Sequence, residues 1–266
     1  PLNLKVSLDY LDPLFIYTVL ATMLGARLGH VLFYQSELIS EDFFSIFLPF
    51  KFKGGFEFTG FQGLASHGAA IGIIVGMYLY RKKYNYKSLL WILDRVVITV
   101  ASGAVFIRIG NFINSEIIGK ITDSNLGVRF IQDYYYKSQI TQLTGIKDVK
   151  KAYAAVTENP QFAELLEKVP YRHPAQLYES FSYIFVFLIL WYFYSKTDKK
   201  NQSGFLFGLF LILLWTIRFF VEFTKEPQGE EYINWFGLNT GQWLSIPFVL
   251  LGLYFMFVYK PKSAVK

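Results

Sequence analysis

The chain has 266 residues, 53% of them hydrophobic and 20% aromatic, with a formal net charge of +6 and a mean hydropathy of +0.31. That exceeds what a soluble core of this length uses, so composition excludes an ordinary soluble domain and points to a polytopic membrane protein whose basic excess lies in loops rather than on a nucleic-acid surface. No Cys is present and the three His lack metalloprotease spacing, which excludes disulfides, thiolate sites and a cysteine nucleophile and argues against a metal.

The first residue is Pro, and "PLNLKVSLDYLDP" has neither the basic n-region nor the small-residue cleavage site of a signal peptide. It reads as the interior of a longer chain or as a start left by processing. A hydrocarbon core needs roughly 20 apolar helical residues, and six candidate spans follow: 14–34, 66–80 (short, rich in glycine), 89–113, 177–195, 204–223 and 240–259. Arg27 lies within the first. The second opens on "SHGAAIG" (66–72), where His67 is followed by Gly68 and Gly72 at the spacing of close helix packing. A lone His is more often a hydrogen-bonded structural residue than a base, but near neutral pH it can also take a proton from a nucleophile.

The third span ends in "RIGNFINSEIIG" (108–119). A charged group in a span costs a few kcal/mol, about 2.5–3.5 for Arg on insertion scales, so it faces a cavity or a partner. Arg108 and Asn111 are three residues apart and share a helix face. Gly110 leaves the backbone room for close approach. A guanidinium beside neutral amides suits a phosphate or carboxylate. Asp94 and Arg95, at the other end of the same span, read as a structural pair.

Residues 114–176 are polar and mixed, and a segment of this length reads either as a functional cap or arm or as a variable surface insert. Within them "KDVKKAYAAVTENPQFAELLEKV" predicts one or two short amphipathic helices broken at Asn159-Pro160. "YRHPAQLYES" then opens the fourth span, with Pro174 at a helix start and Gln176, Tyr178 and Glu179 in the first turns, as capping groups or as a polar rim for a headgroup. The fifth span ends in "WTIRFFVEFTKEP". Arg218 and Glu222 stand four apart, as an intrahelical pair or as a second guanidinium aimed at the same anion with Glu222 holding it.

The connections "RKKYNYK" (81–87), "SKTDKK" (195–200) and "KPKSAVK" (260–266) are short and basic. The positive-inside rule makes them cytoplasmic, and an even number of spans separates each pair. The C-terminus is then cytoplasmic, and 35–65, 114–176 and 224–239 face outward. The reading is an all-α polytopic transmembrane helix bundle, one domain over 1–266, carrying an extracytoplasmic arm over 114–176.

Six stretches together resemble the bacterial prolipoprotein diacylglyceryl transferase family: "GARLGHVLFY" (25–34), "SHGAAIG" (66–72), "RIGNFINSEIIG" (108–119), "RHPAQLYES" (172–180), "RFFVEFTKEP" (218–227) and "GQWLSIP" (241–247). They occur in the family's order and span most of the chain except the arm at about 120–170. The resemblance implies seven helices, of which six are here, and an inner-membrane enzyme with its active face extracytoplasmic. It implies transfer of the diacylglyceryl group of phosphatidylglycerol to the thiol of the lipobox Cys in a preprolipoprotein, with release of glycerol phosphate. It implies membrane lipids as surroundings, a monomer, and no metal, cofactor or nucleic-acid partner. Carried over by motif, His67, Arg108 and Arg218 are the catalytic candidates. Asn111, Glu116, Gly119, Glu222, Arg27 and Tyr178 are the substrate-binding candidates. Ala69, Leu214 and Lys225 stand where the family usually has Gly, Tyr and Arg. The rival reading is a transporter or lipid flippase with an Arg-lined anion site. Against it, no inverted halves are visible in the sequence, and the polar clusters all approach one face.

Overall fold

A computed structural model describes residues 4–48, 50–51, 56–58, 66–85, 87–226 and 236–260. They are overwhelmingly helical, with two short antiparallel ladders, as an all-α membrane protein requires. The main helices are α1 (Leu4–Tyr34), α2 (Ser66–Tyr84), α3 (Leu89–Ile113), α4 (Lys137–Thr144), α5 (Val149–Glu158), α6 (Ala175–Lys196), α7 (Phe205–Val221) and α8 (Thr240–Leu253). Each of the six candidate spans is found as a helix. Among the described residues, five stretches are long and apolar enough to cross a membrane: Asp9–Leu32, Leu89–Ile113, Ala175–Lys196, Phe205–Thr224 and Thr240–Val258. The helix α2 is not among them; its small residues and its last turn with Arg81, Lys82 and Lys83 dilute its hydropathy. Chain contacts divide the molecule into two compact units, 1–93 and 94–266.

In the first unit, α1 and α2 touch along a seam of small residues. A Cβ at Gly25 would strike Gly68 and Gly72, and one at Gly68 would strike Gly25 and Gly29. Only residues without bulk let two backbones approach this closely, where packing rather than water drives association. The Tyr80 hydroxyl donates to Tyr10 O at 2.9 Å, and Tyr17 meets Tyr80 edge-on at 5.8 Å. Arg27 donates from Nε to Ile46 O at 3.2 Å and from Nη2 to Ser45 O at 3.0 Å. It thereby ties α1 to the short helix Phe44–Phe47.

In the second unit, α3, α6 and α7 share one core. Val97, Ala101 and Val105 of α3 cluster with Tyr183, Val186 and Leu190 of α6 and with Leu206, Phe210 and Trp215 of α7. The helices α7 and α8 cross where Gly208 faces Gly252, and Trp215 stacks on Phe248 at 4.2 Å. The outer faces are apolar: Phe106, Ile107 and Phe181 are each more than 60% exposed, a surface that lipid rather than water satisfies.

Asp94 has a structural role, and its hydrogen-bond partners are backbone groups at the start of α7 rather than Arg95. Its carboxylate accepts from Gly204 N at 2.7 Å and from Phe207 N at 2.8 Å, capping the start of α7 from another helix. The first N–H groups of a helix are unpaired and carry partial positive charge, so a buried carboxylate belongs there.

The arm between α3 and α6 has its own small core of Ile131, Tyr135, Ile140, Ala152, Val156 and Val169. As the sequence predicts, α5 ends at Glu158 and a 3-10 turn Pro160–Phe162 follows, with Asn159 accepting from Gln161 N. The Tyr153 hydroxyl donates to Tyr135 O at 2.6 Å, and that of Tyr135 donates to Leu165 O at 3.0 Å.

Asp94→Ala is expected to lower the unfolding temperature in detergent by the equivalent of about 1–2 kcal/mol, with Asp94→Asn recovering part of it. Burial raises the ionisation of Tyr135 and Tyr153 above the ordinary phenol range. A raised folded value means full stability below the unfolded tyrosine's titration at about pH 10, lost as pH climbs past it. The near-ultraviolet circular dichroism of wild type should therefore fall above that pH at a lower alkalinity than that of a Tyr153→Phe variant.

Candidate active site

The candidate site belongs to the second unit and is organised by a carboxylate. Glu179 lies in the first turns of α6 and is fully buried. Its Oε2 sits 2.8 Å from Arg108 Nε, an ion pair rather than a well-aligned hydrogen bond. Its Oε1 accepts from Lys225 Nζ at 3.0 Å and lies 3.4 Å from the Tyr183 hydroxyl. The charge of Arg218 acts on the same carboxylate. A buried ion is tolerated only when partners replace its water, and here Arg108 and Lys225 do so from two separate segments.

Arg108 comes from the last turns of α3, Glu179 from the first turns of α6, and Arg218 from the last turn of α7. Arg218 is half-buried, its guanidinium carbon 5.1 Å over the Trp215 ring, and it makes no ion pair among the described residues. The expected pairing of Arg218 with Glu222 is not what forms. Glu222 Oε2 instead holds Lys225 Nζ at 3.2 Å. The reason is local: α7 stops at Val221 and Glu222–Thr224 tightens to a 3-10 turn. The i, i+4 geometry is lost there and the i+3 residue folds back. The other face of the Glu222 carboxyl crowds Gly241, at the first turn of α8, where a helix N-terminus favours an anion.

The segment after α3 forms a rigid rim. Ser115 and Ile117 adopt φ of 56° and 57°, a region that costs a β-branched residue strain and persists only where neighbours enforce it. Glu116 N donates to Asn111 O at 2.8 Å. The Glu116 carboxylate accepts from Asn111 Nδ2 at 2.8 Å and from Asn114 Nδ2 at 3.4 Å. Gln176 Nε2 reaches Glu116 O at 2.6 Å.

Next, residues 118–121 run between two other segments. Gly119 N donates to His173 O at 3.1 Å, Lys120 N to Thr224 O at 2.8 Å, and Glu226 N to Ile118 O at 3.1 Å. A Cβ at Gly119 would collide with both His173 and Thr224, so glycine is required for packing. Arg172 clasps the outside, reaching Gly119 O at 3.2 Å and Glu226 at 2.9 Å.

Of the sequence candidates, Arg108, Asn111, Glu116, Gly119, Arg218, Glu222 and Tyr178 all fall in this unit. Tyr178 shares a hydrogen bond of 3.1 Å with His173 Nδ1. Arg27 belongs to the first unit. His67 stands in the first turn of α2, and its side chain lies outside the described residues. At Gly110 a Cβ would meet nothing within 4 Å, so the close backbone approach expected there does not occur among the described residues. Lys225 and Tyr183 are not among the sequence candidates, and Gln176 and Glu179 figure there only as capping groups or a polar rim for a headgroup. The available signal was Glu179 itself, a carboxylate inside an apolar span, which demands a partner. No metal-binding group of His, Asp or Glu occurs among the described residues.

The family model described as prolipoprotein diacylglyceryl transferase matches residues 3–258. The chain is 40% identical to the phosphatidylglycerol–prolipoprotein diacylglyceryl transferase of Bacteroides fragilis over 98% of this chain and 82% of that protein. It is 36% identical to the one from Tolumonas auensis, covering 96% and 81%, and 34% identical to the one from Porphyromonas gingivalis, covering 94% and 77%.

Glu179→Ala strips the counter-ion from two cations and is expected to cost about 3–5 kcal/mol of stability, read as thermal unfolding in detergent. Gly119→Ala is expected to lower the same unfolding temperature steeply, because the obstructing atoms include backbone on both sides.

Proposed function

The chain belongs to the prolipoprotein diacylglyceryl transferase family, and we propose that it transfers the diacylglyceryl group of phosphatidylglycerol to the cysteine sulfur of a prolipoprotein. The observation that carries the mechanism is the grouping of Arg108, Arg218 and Lys225 about Glu179. Within this cluster three cations face the two carboxylates of Glu179 and Glu222, which leaves one positive charge in excess at the end of a helix bundle. That is a site for a single lipid phosphodiester.

In the reaction the substrate thiol loses its proton. The sulfur attacks the glyceryl carbon that carries the phosphate ester. The carbon–oxygen bond breaks, its electron pair goes to the phosphate oxygen, and glycerol phosphate leaves as a thioether forms. Charge grows on the departing phosphate, so cations held in place beforehand stabilise the transition state more than the bound lipid. Low dielectric strengthens the effect. Arg108 and Arg218 serve as the phosphate clamp, and Glu179 and Lys225 hold the clamp's geometry. A guanidinium grips two oxygens in one plane, which an ammonium does not. The lipobox thiol starts near pKa 8.5, and His67 is the candidate to remove its proton.

The same arrangement supports an orientation. Arg108 and Arg218 end their helices and Glu179 begins its own, so the cluster lies at the end opposite the basic connection 195–200. The positive-inside rule supports a cytoplasmic location for that connection and an extracytoplasmic one for the site, in the bacterial inner membrane.

The direct test incubates purified protein with phosphatidylglycerol and a lipobox peptide and measures glycerol phosphate and thioether product; no product from a folded enzyme overturns the reading. Arg108→Lys is expected to cut turnover at least about 100-fold, as loss of an oxyanion donor does, with unfolding temperature nearly unchanged. His67→Gln is expected to slow transfer most at low pH; a pH profile of unchanged shape would remove His67 from the base role.

A further inference from the structure

One turn from the Arg108–Glu179 pair, the same two helices carry a second pair of polar groups, two amides that both bond Glu116 and that the phosphate clamp does not use. Asn111 follows Arg108 by three residues on α3, and Gln176 precedes Glu179 by three on α6. Gln176 is fully buried. Its Nε2 is committed to Glu116 O, and Asn111 Nδ2 to the Glu116 carboxylate. Both contacts need an N–H donor, so each amide is held in one orientation. That leaves Gln176 Oε1 and Asn111 Oδ1 buried and without a hydrogen-bond partner among the described residues. A buried acceptor left alone is costly, and native proteins leave few of them without a purpose.

Two carbonyl oxygens accept and do not donate, so what they fit is a group rich in donors. Its distance from the phosphate is also set: three residues of helix rise are roughly 4.5 Å, the reach of a hydroxyl on the second or third carbon of a phosphate-linked headgroup. Its charge is set as well. The cations at Arg108, Arg218 and Lys225 gather about Glu179 one turn away, and a further cation beside them is repelled. A neutral hydroxyl suits neutral amide oxygens beside that cluster better than an ammonium does.

We infer that Gln176 Oε1 and Asn111 Oδ1 form a polyol-reading subsite that accepts hydrogen bonds from the headgroup hydroxyls of the lipid whose phosphate Arg108 binds. The inference rests on the transferase reading above and adds to it the origin of headgroup choice. Gln176 is the specificity-determining residue, since its side chain is buried and its donor is used to fix its acceptor.

The experiment compares kcat/KM for phosphatidylglycerol, phosphatidylpropanol (no headgroup hydroxyl) and phosphatidylethanolamine, with a lipobox peptide as acceptor. Wild type is expected to favour phosphatidylglycerol over both by roughly tenfold or more, since a site built to bond a hydroxyl rejects the analogue without it. In Gln176→Met the preference should shrink toward unity, with the loss for phosphatidylglycerol falling mainly on KM. Equal use of phosphatidylpropanol by wild type overturns the inference, whatever the variant does. Equal use of phosphatidylethanolamine overturns the choice of a neutral hydroxyl, and a folded Gln176→Met that keeps the full preference removes Gln176 from the subsite. Failure of the transferase reading looks different: wild type then transfers from none of the three lipids.

Discussion

Everything at the site is arranged around one buried carboxylate. Glu179 has no exposure, and such an ion survives only because Arg108 and Lys225 approach it to 2.8 and 3.0 Å. The dependence is mutual. Two cations this close would repel one another without the anion between them, and repulsion inside a poorly screened region is strong. A helix start, a helix end and the turn after a third helix are thereby locked at one level. The cost of desolvating the charges is offset only while all of them are present, which makes the cluster brittle as well as exact in placement.

The rim beside this cluster is held by a different kind of force. Around Gly119 the backbone of three segments meets through hydrogen bonds, and no side chain fits between them. That contact links the chain after α3 to the entrance of α6 and to the turn after α7, the same three places that supply Arg108, Glu179 and Lys225. Backbone pairing sets the spacing of the segments, and the ion cluster sets the orientation of their side chains. The left-handed Ser115 and Ile117 are the strained link between the two, and their strain is tolerated because Asn111 and Gln176 both fasten Glu116 between them.

The sequence-level reading of helices held up because it rests on length and hydropathy, which survive tertiary context. Each predicted span is a helix, and Asn159-Pro160 ends the arm's amphipathic helix where its chemistry says it should. The site was legible in part. Arg108, Asn111, Arg218 and Glu222 could be picked out because polar groups in apolar helices need a reason, and Gly119 by its place in the motif that resembles the family's. Their partners could not. Helical spacing suggested Arg218 with Glu222, but a 3-10 turn begins at Glu222 and redirects it to Lys225. Glu179 was visible as a polar residue in a first turn, but not as the common partner of cations 71 and 46 positions away in the chain. Gly110 looked like a point of close approach, and it faces open space.

Sequence alone determined the class of molecule, the positions of its helices, the family it belongs to, and which intramembrane charges needed explaining. These follow from local rules: apolar length, charge placement and motif order, each readable within a window of residues. Tertiary structure alone decided which charge answers which, that Gly119 is obligatory for packing three backbones, that Asp94 caps a helix 110 residues away, and that two amide oxygens are buried with no donor among the described residues. Those facts concern distances between groups remote in the chain, and no local preference encodes such distances until the helices have packed.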